Sequence, residues 1–222
     1  MQKIISYIQR KKYELLLLAL IQHLFIGVFL SDLPFYTKVI WPINMLIIGT
    51  ASMGVFIEKG HWKKLIQKIL FLLVLALPFG LTFFSNNIHY FLFLNLAYVI
   101  FFIFIFWEVL TFLVKPSYIN TDIISASACG YFLLIEISTF LLQFFVYHNS
   151  QSFKGIDLTS PALTFMDLVY FSSITLTSIG FGDITPNTHY TKLISAFFGI
   201  AGQFYSVVLV GILISKFTSN NK

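Results

Sequence analysis

The stretch Thr177-Ser178-Ile179-Gly180-Phe181-Gly182-Asp183 lies between two long apolar runs near the C-terminus and decides the fold. A β-strand would point its successive carbonyl groups to opposite sides. Alternating left- and right-handed backbone instead turns consecutive carbonyl oxygens to one side, and glycine enters the left-handed region without a steric penalty. The glycine spacing therefore predicts carbonyl groups that face a common axis, while the apolar side chains between the glycines face away from it.

Four such segments around one axis would form stacked rings of oxygen atoms that can replace the water shell of a potassium ion. The stretch resembles the selectivity filter of tetrameric pore-loop potassium channels, whose usual form is Thr-Val-Gly-Tyr-Gly-Asp. We call residues 177–183 the filter segment. The resemblance covers about residues 122 to 217. It implies K⁺ sites formed by backbone carbonyls and by the Ser178 hydroxyl, from Ser178, Ile179, Gly180, Phe181 and Gly182.

The filter segment departs from the usual family pattern at two positions. Ser178 replaces a threonine, and Phe181 replaces a tyrosine. The resulting Ser-Ile-Gly-Phe-Gly core resembles the filter of ether-à-go-go-type channels, which conduct potassium. Ile174 stands where some relatives place a carboxylate behind the filter, so Asp183 lacks that partner. We expect support for the filter from Thr177, Asp183, Tyr170, Phe171 and Thr175.

A short helix is predicted before the filter segment, over residues 164–176. Its Thr164-x-x-Asp167 start matches a common N-terminal capping pattern. This helix is too short to cross a bilayer, which needs about 20 residues, so it should re-enter the membrane as a pore helix.

The apolar helix after the filter carries Gly202 where the family often has its hinge. Residues four apart nearly eclipse on an α-helix. If Gly202 faces the cavity as its family counterpart does, Ser206, Val210 and Ile214 should line the inner pore. The alternative is that these residues pack against helix five.

The composition indicates a membrane protein: 58% of the residues are hydrophobic, 10% are charged, and 27 are phenylalanine. A spanning helix needs about 20 mainly apolar residues. We therefore predict an all-α membrane protein with six transmembrane helices and a re-entrant pore helix with its filter between helices five and six. The six spans are residues 13–31, 38–57, 65–84, 90–114, 122–147 and 189–215.

The predicted spans divide the chain into a four-helix unit (1–114), a linker (115–121), a pore domain (122–217) and a short cytoplasmic tail (218–222). This layout resembles six-helix channels, in which the four-helix unit often senses voltage. Voltage sensing requires charge within the membrane field. The fourth helix, residues 90–114, contains no Lys or Arg. Little or no voltage dependence is therefore expected, and gating would depend on the membrane part of the chain or on a partner protein.

The basic residues set the orientation. With both termini in the cytoplasm, 11 Lys and Arg residues lie at cytoplasmic ends and three lie outside, namely Lys38, Lys154 and Lys192, as the positive-inside rule requires. We expect a multi-pass protein of the cell membrane. Its net charge of +5 then reflects topology and contact with membrane lipid, and no nucleic-acid partner is expected.

Glu136 is an ionisable residue near the middle of helix five, where charge is expensive. Thr139 and Gln143 follow it on one helical face and form a polar stripe. We expect this stripe to meet the pore-helix hydroxyls of Ser172, Ser173 and Thr175. Glu136 would then be a protonated structural residue, and the alternative role is a proton sensor.

Two further polar residues fall within the four-helix unit. His23 is expected to pack with Gln22, because no second ligand shows helical metal-binding spacing with it. Glu108 is expected to snorkel to the surface or to pair with Lys115.

The sequence thus predicts passive, potassium-selective conduction through a homotetramer, since one filter per chain requires three identical subunits to complete the pore. K⁺ is the permeant ion, and no cofactor is predicted. The alternatives are a weakly selective cation channel and a pore subunit that needs a separate regulatory protein. An enzyme is not expected, because the sequence has no His-Glu-x-x-His, Gly-x-Ser-x-Gly or paired-aspartate pattern.

Overall fold

A computed structural model of the chain describes residues 11–56, 60–84, 87–114 and 121–219. Within these ranges, side chains are described except those of residues 81–84, 121, 210 and 212–219. Most of the predicted linker and the end of the predicted tail therefore lie outside the described residues.

The described chain is almost entirely helical. Its helices are α1 (Lys12–Phe25), which continues as the 3₁₀ turn Ile26–Phe29, α2 (Leu33–Phe56), α3 (His61–Phe84), α4 (Ile88–Val114), α5 (Thr121–His148), α6 (Pro161–Leu176) and α7 (His189–Ser219). The strands β1 (Phe153–Lys154) and β2 (Thr185–Pro186) form a short antiparallel ladder on either side of α6 and the filter segment.

Five helical segments of the described chain are long and apolar enough to cross a membrane: Lys12–Phe29, Leu33–Phe56, Ile88–Val114, Asp122–His148 and His189–Leu209. This agrees with the prediction of an all-α membrane protein. The predicted third span corresponds to α3, which carries Lys63, Lys64 and Lys68 near its start and is not among the five.

The helix α6, predicted as a pore helix, begins earlier than its sequence pattern indicates. Ser160 is the N-cap of α6, and its hydroxyl accepts a hydrogen bond from the Leu163 amide. Pro161 occupies the first helical turn, where its missing N–H leaves no hydrogen bond unmade. The Thr164-x-x-Asp167 pattern therefore lies inside the helix. Thr164 donates to the carbonyl oxygens of Asp157 and Ser160 instead.

The helices α1 and α4 pack on α5 of their own chain, and α2 and α3 pack beside them. The most extensive helix contact joins α4 and α5, and α1 packs against both α2 and α5. α5 in turn contacts α6 and α7, so it lies between the four-helix side of the molecule and the filter. Large fully buried aromatic side chains fill these contacts, including Tyr98, Phe102, Phe140 and Phe165. α5 therefore connects α1 and α4 to α6 and α7.

Candidate functional site

The filter segment has the alternating backbone that its glycines predict. Gly180 and Gly182 have φ angles of +56° and +84°, and Ser178 has a φ of +59°. Left-handed residues thus occur at every second position. Sequence reasoning assigned this role to the glycines alone. Ser178 adopts the same conformation although it carries a side chain, which is uncommon and costs conformational energy.

Backbone amides hold the filter segment against the end of α6. The amides of Ile179 and Gly180 both donate to the Ile174 carbonyl oxygen, at 2.9 and 3.2 Å, and the Ser178 amide donates to the Thr175 carbonyl oxygen at 3.1 Å. The last carbonyls of a helix lack partners within the helix. These bonds satisfy them and fix the direction of the peptide units that follow.

The other end of the filter segment is held by a side-chain bond. The Tyr170 hydroxyl donates to Asp183 Oδ2 at 2.7 Å, and the Tyr170 ring stacks in parallel on Phe181 with centroids 6.4 Å apart. The Tyr170 donor holds the pKa of the Asp183 carboxyl below its usual range, and the same bond raises the Tyr170 pKa. Tyr170 thus supplies the partner that Ile174 cannot give to Asp183.

The remaining expected support residues have different surroundings. The Thr177 hydroxyl donates to the Ser173 carbonyl oxygen at 2.7 Å. Phe171 is buried and meets Phe153 of β1 edge to face, with centroids 5.1 Å apart. Thr175 contributes its backbone carbonyl to the Ser178 amide. Phe171 therefore supports the filter segment indirectly, by fixing α6 against the β1–β2 ladder.

Two polar residues after the filter segment hold the chain that leads into α7. Sequence patterns did not identify them. The Asn187 amide donates to the Ser152 carbonyl oxygen at 2.8 Å, and the Asn187 side chain donates to the Gln151 carbonyl oxygen at 3.0 Å. The Thr191 hydroxyl also donates to the Ser152 carbonyl oxygen, at 2.9 Å. These bonds therefore join the chain just after α5 to the chain that leads into α7, on the two sides of α6 and the filter segment.

Gly202 lies at a close helix contact in this structure, which differs from the expectation that it faces a cavity. A Cβ at this position would lie 2.6 Å from the Leu176 carbonyl oxygen and 2.9 Å from the Leu176 Cα. The glycine thus lets α7 approach the end of α6. Ser206 is half-buried and donates to the Gly202 carbonyl oxygen. The side chains of Val210 and Ile214, the other expected pore-lining residues, lie outside the described part of the structure.

The exposed neighbour of Gly202 is Gln203, which sequence reasoning missed. Its side-chain amide donates to the Leu176 carbonyl oxygen at 3.4 Å, directly before the filter segment. Gln203 therefore places a polar group at the end of the filter segment opposite to Asp183.

The structure also corrects the expected partner of Glu136. The carboxylate is fully buried, and Oε1 lies 2.7 Å from Nδ1 of His23 in α1. The hydroxyl link between α5 and α6 comes instead from Ser138, which accepts from Ser172 at 3.1 Å. His23 was expected to pack with Gln22, but Gln22 donates to the Asn44 side chain. Residues 113 positions apart give no local pattern from which this pairing follows.

Glu108 is paired within the four-helix side of the molecule. Its fully buried carboxylate accepts from the ammonium group of Lys63 in α3. Lys115, the expected partner, lies outside the described residues. The pair joins α3 to α4 and has a net charge of zero when both groups are ionised.

The filter segment presents uncharged oxygen ligands on an exposed stretch of backbone. All residues from 177 to 183 are exposed in the single chain. Carbonyl and hydroxyl oxygens suit hard cations such as alkali ions, whereas zinc and copper prefer nitrogen and sulfur. Among the described residues, no group of three His, Cys, Asp or Glu side chains could hold a metal ion. Backbone carbonyl and hydroxyl oxygens are the groups of the filter segment that could ligate a cation.

The filter segment and the helices on either side of it are similar in sequence to known proteins. Residues 131–219 match a family model described as ion channel. The match contains the described part of α5 from residue 131, α6, the filter segment and α7. No solved structure gives a significant match to the chain.

Several curated proteins share sequence with part of the chain. Two-pore potassium channel 5 of Arabidopsis thaliana is 33% identical over 100 residues, which are 45% of this chain and 22% of that protein. Potassium voltage-gated channel subfamily KQT member 4 of Homo sapiens is 32% identical over 98 residues, 44% of this chain and 13% of that protein. The matched residues thus cover less than a quarter of the length of these relatives.

Proposed function

We propose that the chain is the subunit of a potassium-selective channel, in which four copies surround one pore and K⁺ moves down its gradient. The observation that carries the proposal is the left-handed backbone at Ser178, Gly180 and Gly182. The amides of residues 178–180 are bonded to the end of α6. This backbone turns successive carbonyl oxygens toward one side, as ion coordination requires. The potassium channels among the relatives support K⁺ as the permeant ion.

The exposure of the filter segment supports assembly of several copies. Irregular backbone at membrane depth is tolerated only where it is buried in protein or lines a water-filled cavity. In the single chain, Ile179 and Phe181 are 56% and 70% exposed. Three further copies would cover these apolar side chains and leave the carbonyl groups around a central aqueous path. We therefore propose a homotetramer.

The proposed topology has six spans, with α3 as the third, α6 as a re-entrant pore helix, and both termini in the cytoplasm of a cell membrane. The lysines near the start of α3 fit a cytoplasmic end. The proposed channel has little voltage dependence, because α4 contains no Lys or Arg and Glu108 is paired with Lys63.

Reversal potentials of the purified protein in liposomes test the proposal directly. With potassium on one side and sodium on the other, a strongly selective pore should reverse close to the potassium equilibrium potential. Protein-free liposomes and liposomes with the Gly180→Ala variant provide the controls. A reversal potential near zero would instead indicate the weakly selective cation channel.

The same measurement separates the second alternative, a pore subunit that needs a regulatory protein. Selective flux from the purified chain alone would exclude an obligatory partner. Absence of flux, together with a tetramer on size analysis in detergent, would favour the partner-dependent channel. A monomer without flux would contradict the proposed assembly.

A further inference from the structure

Tyr205 of α7 fits into a notch in α5 that exists because residue 130 is a glycine. The Tyr205 hydroxyl donates to the Ser127 carbonyl oxygen at 2.8 Å. A Cβ added at Gly130 would overlap the Tyr205 hydroxyl oxygen and would lie 2.8 Å from Cζ of the same ring. The position of the Tyr205 side chain therefore depends on the absence of a side chain at Gly130.

The same ring reaches the four-helix side of the molecule. The Tyr205 ring centroid lies 6.2 Å from that of Phe106 in α4 and 6.1 Å from that of Tyr131 in α5. About one turn earlier, Gly202 brings α7 against Leu176 at the end of α6. Tyr205 thus joins α7 to α5 and α4, whereas Gly202 joins it to α6.

The opposite face of α7 turns toward the end of the filter segment. Successive residues of an α-helix are about 100° apart, so Gln203 and Val207, each two positions from Tyr205, lie about 160° from it. Both side chains are exposed in the single chain, and Gln203 donates to the Leu176 carbonyl oxygen directly before the filter segment. The contact at Tyr205 therefore holds this face of α7 away from the axis of the proposed channel.

The hydroxyl of Tyr205 adds a fixed position to the packing of α7 on α5. Helices that meet through apolar side chains alone gain little from the contact in a bilayer, because lipid tails are equally apolar. A hydrogen bond to a backbone carbonyl sets the position along and around the helix. Within the hydrocarbon region no water replaces such a bond when it breaks. The bond from Tyr205 to Ser127 therefore resists movement of α7 away from α5.

We propose that Tyr205 is a positioning residue for conduction, which holds α7 against α5 through Ser127 and Gly130 and so keeps the inner path wide. The role rests on the proposed function, because its consequence is a change in how long the channel stays open. Without the contact, α7 moves toward the axis, and the apolar Val207 side chains of four copies narrow the path. A narrow apolar constriction loses its water and stops ions.

Tyr205→Phe tests the role, because it removes the hydroxyl and keeps the ring. Open probability in planar bilayers should fall about fivefold, the order expected for the loss of one hydrogen bond. Unitary conductance and the potassium–sodium reversal potential should stay unchanged, since the filter segment is not altered. A purely structural bond would lower the melting temperature but leave the open probability of assembled channels as it is. Tyr190→Phe, at an exposed side chain of the same helix, is the control.

Gly130→Ala tests the notch from the side of α5. Its methyl group would displace the Tyr205 ring, so open probability should fall at least as much as in Tyr205→Phe. The same change made in Tyr205→Leu, whose side chain lacks the overlapping atoms, should lower open probability by less than about a further twofold, because the two sites act through one contact. Gly60→Ala, where an added Cβ has no neighbour within 4 Å, is the control for a glycine-to-alanine change.

An open probability that is unchanged or higher in Tyr205→Phe and Gly130→Ala would overturn the proposal, whatever the melting temperature does. An equal loss on Gly130→Ala in the wild-type and Tyr205→Leu backgrounds would overturn it as well. If Tyr205→Phe fails to assemble, Gly130→Ala and the double variant decide the question. Failure of the proposed function is distinguishable. A wild-type chain without potassium flux would refute the channel, while non-additive melting temperatures of the same variants would still show that Tyr205 fixes α7 at Gly130.

Discussion

The filter segment and the His23–Glu136 contact are two polar regions built in opposite ways. The filter segment is exposed in the single chain. Its backbone amides are held by nearby carbonyl oxygens, those of Ser173, Ile174 and Thr175. The His23–Glu136 contact is fully buried and joins side chains 113 positions apart. The exposed oxygen atoms of the filter segment can bind and release a cation, whereas the buried side chains of His23 and Glu136 are out of contact with solvent.

The difference shows how a membrane protein can separate conduction from support. Carbonyl groups bind cations without a net protein charge, so occupancy by an ion can change at little electrostatic cost. A buried carboxylate requires a constant partner, because loss of that partner leaves an uncompensated polar group. Substitutions in the filter segment should therefore affect conduction first, and substitutions at the buried contact should affect stability.

Gly180→Ala should have the largest effect on potassium flux, because it disrupts the backbone of the filter segment. Alanine at a φ of +56° costs roughly 1–2 kcal/mol, or roughly 4–8 kcal/mol over the four subunits of the proposed channel. Potassium flux in liposomes should fall at least about a hundredfold, since 1.4 kcal/mol corresponds to about a factor of ten. Size analysis should still show an assembled tetramer.

Gly60→Ala is the control for this change. A Cβ added at Gly60 would have no neighbouring atom within 4 Å, and Gly60 has no left-handed φ, so alanine should be tolerated there. Unchanged potassium flux in Gly180→Ala would show that residues 177–183 are not the conduction path.

Tyr170→Phe should have an intermediate effect. The change removes the donor to Asp183 but keeps the ring that stacks on Phe181. We expect flux to fall about threefold at neutral pH, because a hydrogen bond to a charged group is lost. Single-channel open times should shorten, and the exposed Tyr190→Phe provides a control without this bond.

The same variant should change the acid response of the filter segment. The folded-state pKa of Asp183 lies below its usual range, so the bond stabilises the segment above that range and is lost only as pH falls through the lowered pKa. In Tyr170→Phe the Asp183 pKa should return toward its usual value. Protonation of Asp183 should then begin at a higher pH than in the wild type, and an identical low-pH midpoint in both proteins would contradict this assignment.

Sequence alone predicted the first region well and the second poorly. The glycine spacing around Ile179 encodes a backbone conformation, and local conformation can be read from adjacent residues. The apolar runs similarly predicted the positions of the helices to within a few residues, although the early start of α6 depends on Pro161. The partner of Glu136 depends on how α1 packs against α5, which no local pattern specifies. The orientation of Gly202 toward Leu176 likewise follows from helix packing.

Substitutions of Gln203 should have a smaller effect on single-channel conductance. The direction of the change tests whether the side chain lies beside the ion path. At the inner end of the filter, Gln203→Glu would add one negative charge per subunit and raise the local K⁺ concentration. Single-channel conductance at low salt should rise about twofold in Gln203→Glu and fall by less than about twofold in Gln203→Leu, which loses the bond to the Leu176 carbonyl oxygen. Equal conductance in both variants would place the side chain away from the ion path.

Membrane voltage should have the smallest effect of all. One elementary charge that crosses the field gains about 2.3 kcal/mol per 100 mV, so steep voltage dependence requires several mobile charges. α4 has no Lys or Arg, and the Lys63–Glu108 pair moves no net charge if it moves as a unit. The buried His23–Glu136 contact likewise joins a basic to an acidic side chain. Open probability in planar bilayers should therefore change little between about −100 and about +100 mV. An activation curve as steep as several elementary charges per channel would mean that the four-helix side of the molecule carries gating charge that these pairs do not account for.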